Sequence, residues 1–271
     1  MTAVIMALLL LAALFALPFP GLAVAFGVVV LLAGWEWSNL AGLERAGRLL
    51  FMVLLGGALA AAALWSGMSA TGLVAEQVLP VMGLAGAWWA LALLWVQGYP
   101  GSAGLWGSRP VRAVMGLLVL VPAWLALLWL RQLPQGPWMV VFLLALVAAA
   151  DIGAYFTGRA WGRAKLAPRV SPGKSWVGLW GGLASSVLFA VAVWWWAWRD
   201  QVPLAGLLAL TVVVALVSVL GDLLESMVKR HRGIKDSGVL LPGHGGFMDR
   251  LDSISAAAPV FVLGLLLMGW P

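Results

Sequence analysis

Nine apolar segments divide the chain, near 2–17, 21–41, 47–66, 77–97, 111–130, 138–157, 176–198, 204–229 and 254–270. The intervals between them are short and hold most of the charge. About 20 mostly apolar residues carry a helix across the ~30 Å hydrocarbon of a bilayer. In lipid a spanning segment must satisfy its own backbone amides, so it is a helix or part of a closed barrel. Runs this long and this continuous predict an all-α polytopic membrane protein with about nine transmembrane helices and no soluble domain. Composition agrees: of 271 residues, 63% are hydrophobic and 10% charged, where a soluble domain has about a quarter charged. A secreted soluble enzyme and a disordered chain are both excluded. The first segment lacks a basic flank and turns at Pro18-Phe19-Pro20-Gly21 into the second, so it reads as a span and not as a cleaved signal.

Charge sets the expected orientation. With the N-terminus cytoplasmic, alternate loops on that side hold Arg45 and Arg48; Arg109 and Arg112; Arg159, Arg163, Lys165, Arg169 and Lys174; and Lys229, Arg230, Arg232, Lys235 and Arg250. Of the 16 Lys and Arg, only Arg131 and Arg199 fall outside. Basic residues favour the cytoplasmic side, so the split supports nine spans, and it explains the net charge of +6 without nucleic acid. Tryptophans near span ends, among them Trp35, Trp37, Trp65, Trp138, Trp194 to Trp196 and Trp198, are expected in the headgroup layer. Gly56-Gly57-Ala58 and Gly181-Gly182 are expected to let helices pack closely. The chain has no cysteine and two histidines, His231 and His244, so a thiolate or zinc centre is not expected. Any metal would be a hard cation on oxygen ligands.

The acids locate the chemistry. Glu44, Glu76 and Asp200 lie in or near loops, and Glu36, between Trp35 and Trp37, is expected to be partly exposed and paired. The others are Asp151, Asp222, Glu225, Asp236, Asp249 and Asp252. Asp222, Glu225, Ser226 and Lys229 share one helix face by their spacing, with Ser218 a turn earlier. A carboxylate at mid-membrane costs about 2.5–3.5 kcal/mol on insertion scales. Asp151 and Asp222 should therefore face one another across a hydrated cavity, or else form an ion-paired packing site with Lys229. Asp249 and Asp252 are three residues apart at the start of the last segment, where acids suit the helix dipole and Asp252 could cap. Bases and glycines lie between these acids, a set that suits a polyphosphate carried with a divalent cation. The run Ser171-Pro172-Gly173-Lys174-Ser175 reads as a turn; it ends like a phosphate-binding Gly-Lys-Ser loop but has Pro168 where the first glycine belongs.

Residues 226–252 read S-M-V-K-R-H-R-G-I-K-D-S-G-V-L-L-P-G-H-G-G-F-M-D-R-L-D. This segment closely resembles the signature of the phosphatidate cytidylyltransferases, or CDP-diacylglycerol synthases. In that pattern Ser precedes Lys-Arg, then come Lys-Asp, His-Gly-Gly and Asp-Arg with a final Asp, and every fixed position is met. D-I-G-A-Y-F-T-G-R, S-P-G-K-S and G-D-L-L-E-S also look like family segments, so the resemblance covers roughly 151–252. One departure is visible: the family's Ser-Pro-x-Lys run leads to Glu-Gly, and here Trp176 is followed by Val177-Gly178.

The resemblance implies transfer of CMP from CTP to phosphatidate, giving CDP-diacylglycerol and pyrophosphate, with Mg2+ alone or beside a second cation. Under it Asp222, Asp249 and Asp151 are metal ligands, and Lys229, Arg230, Lys235, Asp236 and Asp252 are catalytic. Ser171, Lys174, Ser175, Tyr155, Ser226, His244 and Arg250 contact substrate. Residues 1–137 form an N-terminal region of about five spans. Residues 138–271 form the catalytic region, with cytoplasmic loops 157–175 and 229–253. The expected partners are CTP, phosphatidate and the bilayer, with a homodimer compatible, in a bacterial inner membrane with the site facing the cytoplasm. Two alternatives stay open: a related CTP-using lipid enzyme of the isoprenoid-lipid kinase type, which only the full signature opposes, and a secondary transporter, which the absence of inverted repeats opposes.

Overall fold

The computed structural model describes residues 2–238 and 245–270. In chain order the helices are α1 (Thr2–Ala16), α2 (Phe19–Leu40), α3 (Arg45–Trp65), α4 (Ala75–Gln97), the short α5 (Ala103–Trp106), α6 (Arg109–Gln132), α7 (Gly136–Trp161), α8 (Trp176–Val193), α9 (Leu204–Arg232) and α10 (Met248–Met268). A π-helical turn, Trp194–Trp198, continues α8, and a hairpin of β1 (Lys165–Ala167) and β2 (Ser171–Ser175) joins α7 to α8. Among the described residues, eight helices are long and apolar enough to cross a membrane, and α1 is a shorter apolar helix of 15 residues. At 1.5 Å per residue α1 is about 22 Å long, less than the ~30 Å of a bilayer core. The chain is an all-α polytopic membrane protein, and eight of the nine expected segments reach spanning length.

Local chemistry sets the helix ends. Pro20, Pro110 and Pro137 occupy the first turns of α2, α6 and α7, where a missing N–H costs nothing. Helix α9 stops at Gly233, whose φ of +70° only glycine adopts readily. There the N–H groups of Gly233 and Ile234 turn back to the carbonyls of Arg230 and Lys229. Lys229, Arg230, His231 and Arg232 thus fill the last turn of α9, beside the negative end of its dipole.

Helices α6, α9 and α10 form the centre of the bundle, and α2, α4, α7 and α8 pack around them. The closest pair is α7 and α8. A Cβ on Gly153, Gly181 or Gly182 would run into Ser185, Thr157 or the Ala150 carbonyl, so the Gly181-Gly182 expectation holds. For Gly56 and Gly57 it fails: a Cβ on either would meet nothing within 4 Å. Two tryptophans also depart from the interfacial reading. Trp37 is fully buried against Gly116, with its indole N–H donating to the Arg112 carbonyl at 2.8 Å, and Trp198 packs on Phe142. Trp65, Trp138, Trp195 and Trp196 do stay exposed at helix ends.

The 171–175 run is a strand and not a turn. The turn lies just before it, where the Val170 N–H bonds to the Ala167 carbonyl, and β2 then pairs antiparallel with β1. Pro172 is tolerated because a two-stranded ribbon is all edge. The hairpin is held to α9 by Arg230, whose Nε donates to the Val170 carbonyl at 3.1 Å.

Candidate active site

Gly221 makes the site possible. A Cβ there would collide with the Asp252 carbonyl and with Ala256, so the α9 backbone lies directly against the α10 backbone and the Ala256 side chain at this level. The next residue on α9 is Asp222, and Asp252 faces it from α10 within electrostatic reach. An open polar cavity of about 530 Å³ lies at this end of the two helices, lined by Asp222, Lys229, Asp236, Gly245, Asp249, Arg250 and Asp252.

Each acid is held by a different element. Asp222 accepts a hydrogen bond from Ser226 Oγ at 3.0 Å and pairs with Lys174 Nζ of β2 at 2.8 Å. Asp249 receives Lys229 Nζ at 2.7 Å on Oδ1, and its carboxylate also accepts from the N–H groups of Gly246 (2.8 Å) and Ser237 (3.2 Å). Gly245 has a φ of +79°, and a Cβ there would press on Asp249 Oδ2, so glycine answers both constraints. Asp252 accepts from the Ser253 N–H at 2.7 Å; it sits in the second turn of α10 and does not cap it. Lys229 Nζ also lies 3.3 Å from Oε2 of Glu225, a carboxylate only 1% exposed.

The expected site residues fall into groups. Asp222, Lys229, Asp236, Asp249, Arg250 and Asp252 share the cavity wall, and Ser226 and Lys174 sit one contact behind Asp222. Asp151, exposed on α7, lies within electrostatic reach of Lys174 and Asp222 but is not on the cavity wall. The ion pair considered between Asp222 and Lys229 does not form: Lys174 takes Asp222, and Lys229 takes Asp249 and Glu225. Lys235 is exposed on the loop after α9, Arg230 is turned toward the hairpin, and Ser171 opens β2. The Ser175 hydroxyl is buried as the N-cap of α8, accepting from the Gly178 N–H at 3.1 Å. Tyr155 lies apart from the cavity wall, 57% exposed on α7 with its hydroxyl accepting from Arg159. His244 lies outside the described residues.

Two acids escaped the sequence-based site. Glu225 carries a legible signal, three residues after Asp222 and four before Lys229. Glu36 carries none, because its partners are 201 and 212 residues away. The expectation that Glu36 is partly exposed and paired is wrong. It is 2% exposed, and its hydrogen bonds come from the neutral Ser237 hydroxyl and the Met248 N–H.

The cavity wall holds four carboxyl groups, Asp222, Asp236, Asp249 and Asp252, against two basic side chains, Lys229 and Arg250, and Lys174 pairs with Asp222 from behind. Among the described residues no three acidic, His or Cys side chains converge as a complete metal cage. Mg2+ is typically held by one or two carboxylates together with substrate phosphates and water. Asp222 and Asp249, with Asp252 and Asp236 beside them, fit that incomplete set.

Comparison with known proteins adds the family. The chain matches the cytidylyltransferase family over residues 1–268. It is 45% identical over 254 residues to a phosphatidate cytidylyltransferase of Pseudomonas aeruginosa, covering 92% of this chain and 89% of that one. A phosphatidate cytidylyltransferase of Haemophilus influenzae is 40% identical over 252 residues, 88% of each chain. One from Mycobacterium leprae is 41% identical over 157 residues, 56% of this chain and 48% of that one. The carboxylate-lined cavity where α9 meets α10 therefore sits in a chain that belongs to the cytidylyltransferase family.

Proposed function

We propose that the chain is a phosphatidate cytidylyltransferase, a nucleotidyltransferase that joins CTP and phosphatidate into CDP-diacylglycerol and pyrophosphate. One observation carries this reading: acids and bases from α9, α10 and β2 meet in one polar cavity at a helix-bundle end. In the reaction a phosphate oxygen of phosphatidate forms a bond to the α-phosphorus of CTP. The bond between that phosphorus and the oxygen bridging to the β-phosphate breaks, and pyrophosphate leaves. Both reactants are anions, so alignment and charge neutralisation supply most of the catalysis.

Asp222 and Asp249, with Asp151, Asp236 and Asp252 near, would hold Mg2+, which would supply charge neutralisation at the polyphosphate. Lys229, Arg230, Lys235 and Arg250 meet phosphate charge, as does Lys174, whose ammonium lies beside Asp222. Ser171, Ser226 and His244 are the remaining substrate contacts. Residues 138–271 act as the catalytic region and 1–137 as its membrane scaffold. The site faces the cytoplasm of a bacterial inner membrane, and a homodimer is compatible with this reading. The test uses purified protein in detergent with CTP labelled in cytosine, Mg2+ and phosphatidate. Label should pass into the organic phase; folded protein that leaves it in the aqueous phase contradicts the proposal.

A further inference from the structure

Cytidylyl transfer as laid out above uses no side chain of α1 to α6, yet α2 sends a buried acid to the catalytic end. Glu36 Oε2 accepts from the Ser237 hydroxyl at 3.1 Å and from the Met248 N–H at 2.8 Å. Gly238 and Gly246 lie so close that a Cβ on either would run into the Glu36 carboxylate. Two of these residues also serve Asp249: the Ser237 N–H and the Gly246 N–H both donate to its carboxylate. Ser237 and Gly246 thus touch Glu36 on one side and Asp249 on the other.

We propose that Glu36 is a positioning residue for the cation and the transfer step, fixing Asp249 through Ser237 and Gly246. This rests on the reading of Asp249 as a metal ligand. Helix capping alone does not account for the arrangement. Helix α10 begins at Met248 with no side-chain cap of its own, and Glu36 supplies that acceptor. A cap, however, needs only the Met248 contact. The Ser237, Gly238 and Gly246 contacts reach back to the two chain segments whose N–H groups donate to Asp249. A carboxylate buried without a cation among its hydrogen-bond partners is costly, and the positive N-terminal end of α10 offsets part of that cost. Outer residues of this kind orient metal ligands, and their loss weakens metal affinity or activity by about 10–100-fold.

The test compares Glu36→Ala, Glu36→Gln, Ser237→Ala and the Glu36→Ala/Ser237→Ala double variant with wild type, using Glu44→Gln as an acid-removal control. Glu44 is exposed and pairs with the exposed Arg109 at 2.9 Å. Three readouts are needed: thermal unfolding, kcat and KM for CTP, and Mn2+ binding by electron paramagnetic resonance with CTP present and lipid omitted. Glu36→Ala should weaken Mn2+ binding and lower kcat by about tenfold or more. Glu36→Gln keeps an acceptor oxygen and should recover much of both. Ser237→Ala should weaken Mn2+ binding by a smaller factor, and the double variant should be no worse than Glu36→Ala, because both act through Asp249. Mn2+ affinity and kcat unchanged in Glu36→Ala, with only the unfolding temperature lowered, would overturn the proposal. If Glu36→Ala does not fold, unchanged Mn2+ affinity in Ser237→Ala overturns it equally. Should wild type make no CDP-lipid, the activity reading falls by itself. The Mn2+ arm then still decides, since Glu36→Ala must add nothing in an Asp249→Asn background.

Discussion

Lys229 stands between two carboxylates, 2.7 Å from Asp249 and 3.3 Å from Glu225, with most of its side chain buried. Removing one partner of a buried pair costs about 3–5 kcal/mol, and Lys229 keeps some solvent contact, so Lys229→Met should cost somewhat less. That loss should show in thermal unfolding together with a loss of turnover. Asp249→Asn keeps size and leaves an oxygen for the Gly246 and Ser237 amides. It should insert and fold normally while kcat falls by about a hundredfold or more, as expected when a cation ligand is lost. Retained turnover in Asp249→Asn would remove that residue from the cation site. These side chains were legible because their spacing is local: Asp222, Glu225 and Lys229 fall on one helical stripe, and Asp249 and Asp252 on another. Glu36 was not, since a lone acid between two tryptophans gives no sign that it meets Ser237 and Met248.

At the scale of elements, glycine contacts separate packing from mere small size. Gly221→Ala places a Cβ against the Asp252 carbonyl and Ala256, an overpacking worth about 1–3 kcal/mol. It should lower the unfolding temperature and spread Asp222 from Asp252, with activity falling in step. Gly56→Ala meets nothing within 4 Å and should leave both unchanged or gain up to about 1 kcal/mol from helix propensity. Helix positions were readable from apolar runs, with α2 to α4 and α6 to α10 all anticipated. The β1–β2 hairpin was not: Ser-Pro-Gly-Lys-Ser has turn composition, and it is extended because it pairs with Lys165–Ala167 and is anchored by Arg230. Trp37 was misplaced for a related reason, since an indole suits a headgroup layer or a buried donor–acceptor pair equally, and only the Arg112 carbonyl decides.

For the whole molecule, the eight spanning-length helices among the described residues and a lopsided charge distribution set a topology that labelling can test. The chain has no cysteine, so single substitutions report cleanly. Gly173→Cys, on β2 where a Cβ meets nothing within 4 Å, should react with a membrane-impermeant thiol reagent only when the cytoplasmic face is opened. Thr71→Cys, in the exposed loop between α3 and α4, should react from the other side in intact cells. The reverse pattern would invert the proposed orientation.

The chemistry itself is decided by which phosphate of CTP reaches the lipid. Two reactions, with CTP labelled at the α-phosphorus or at the γ-phosphorus, should be run with Mg2+ and phosphatidate on the purified protein and extracted into organic solvent. Cytidylyl transfer sends the α label into the lipid fraction and leaves the γ label in aqueous pyrophosphate. Label from the γ position in the lipid, with none from the α position, would show a lipid kinase and contradict the account.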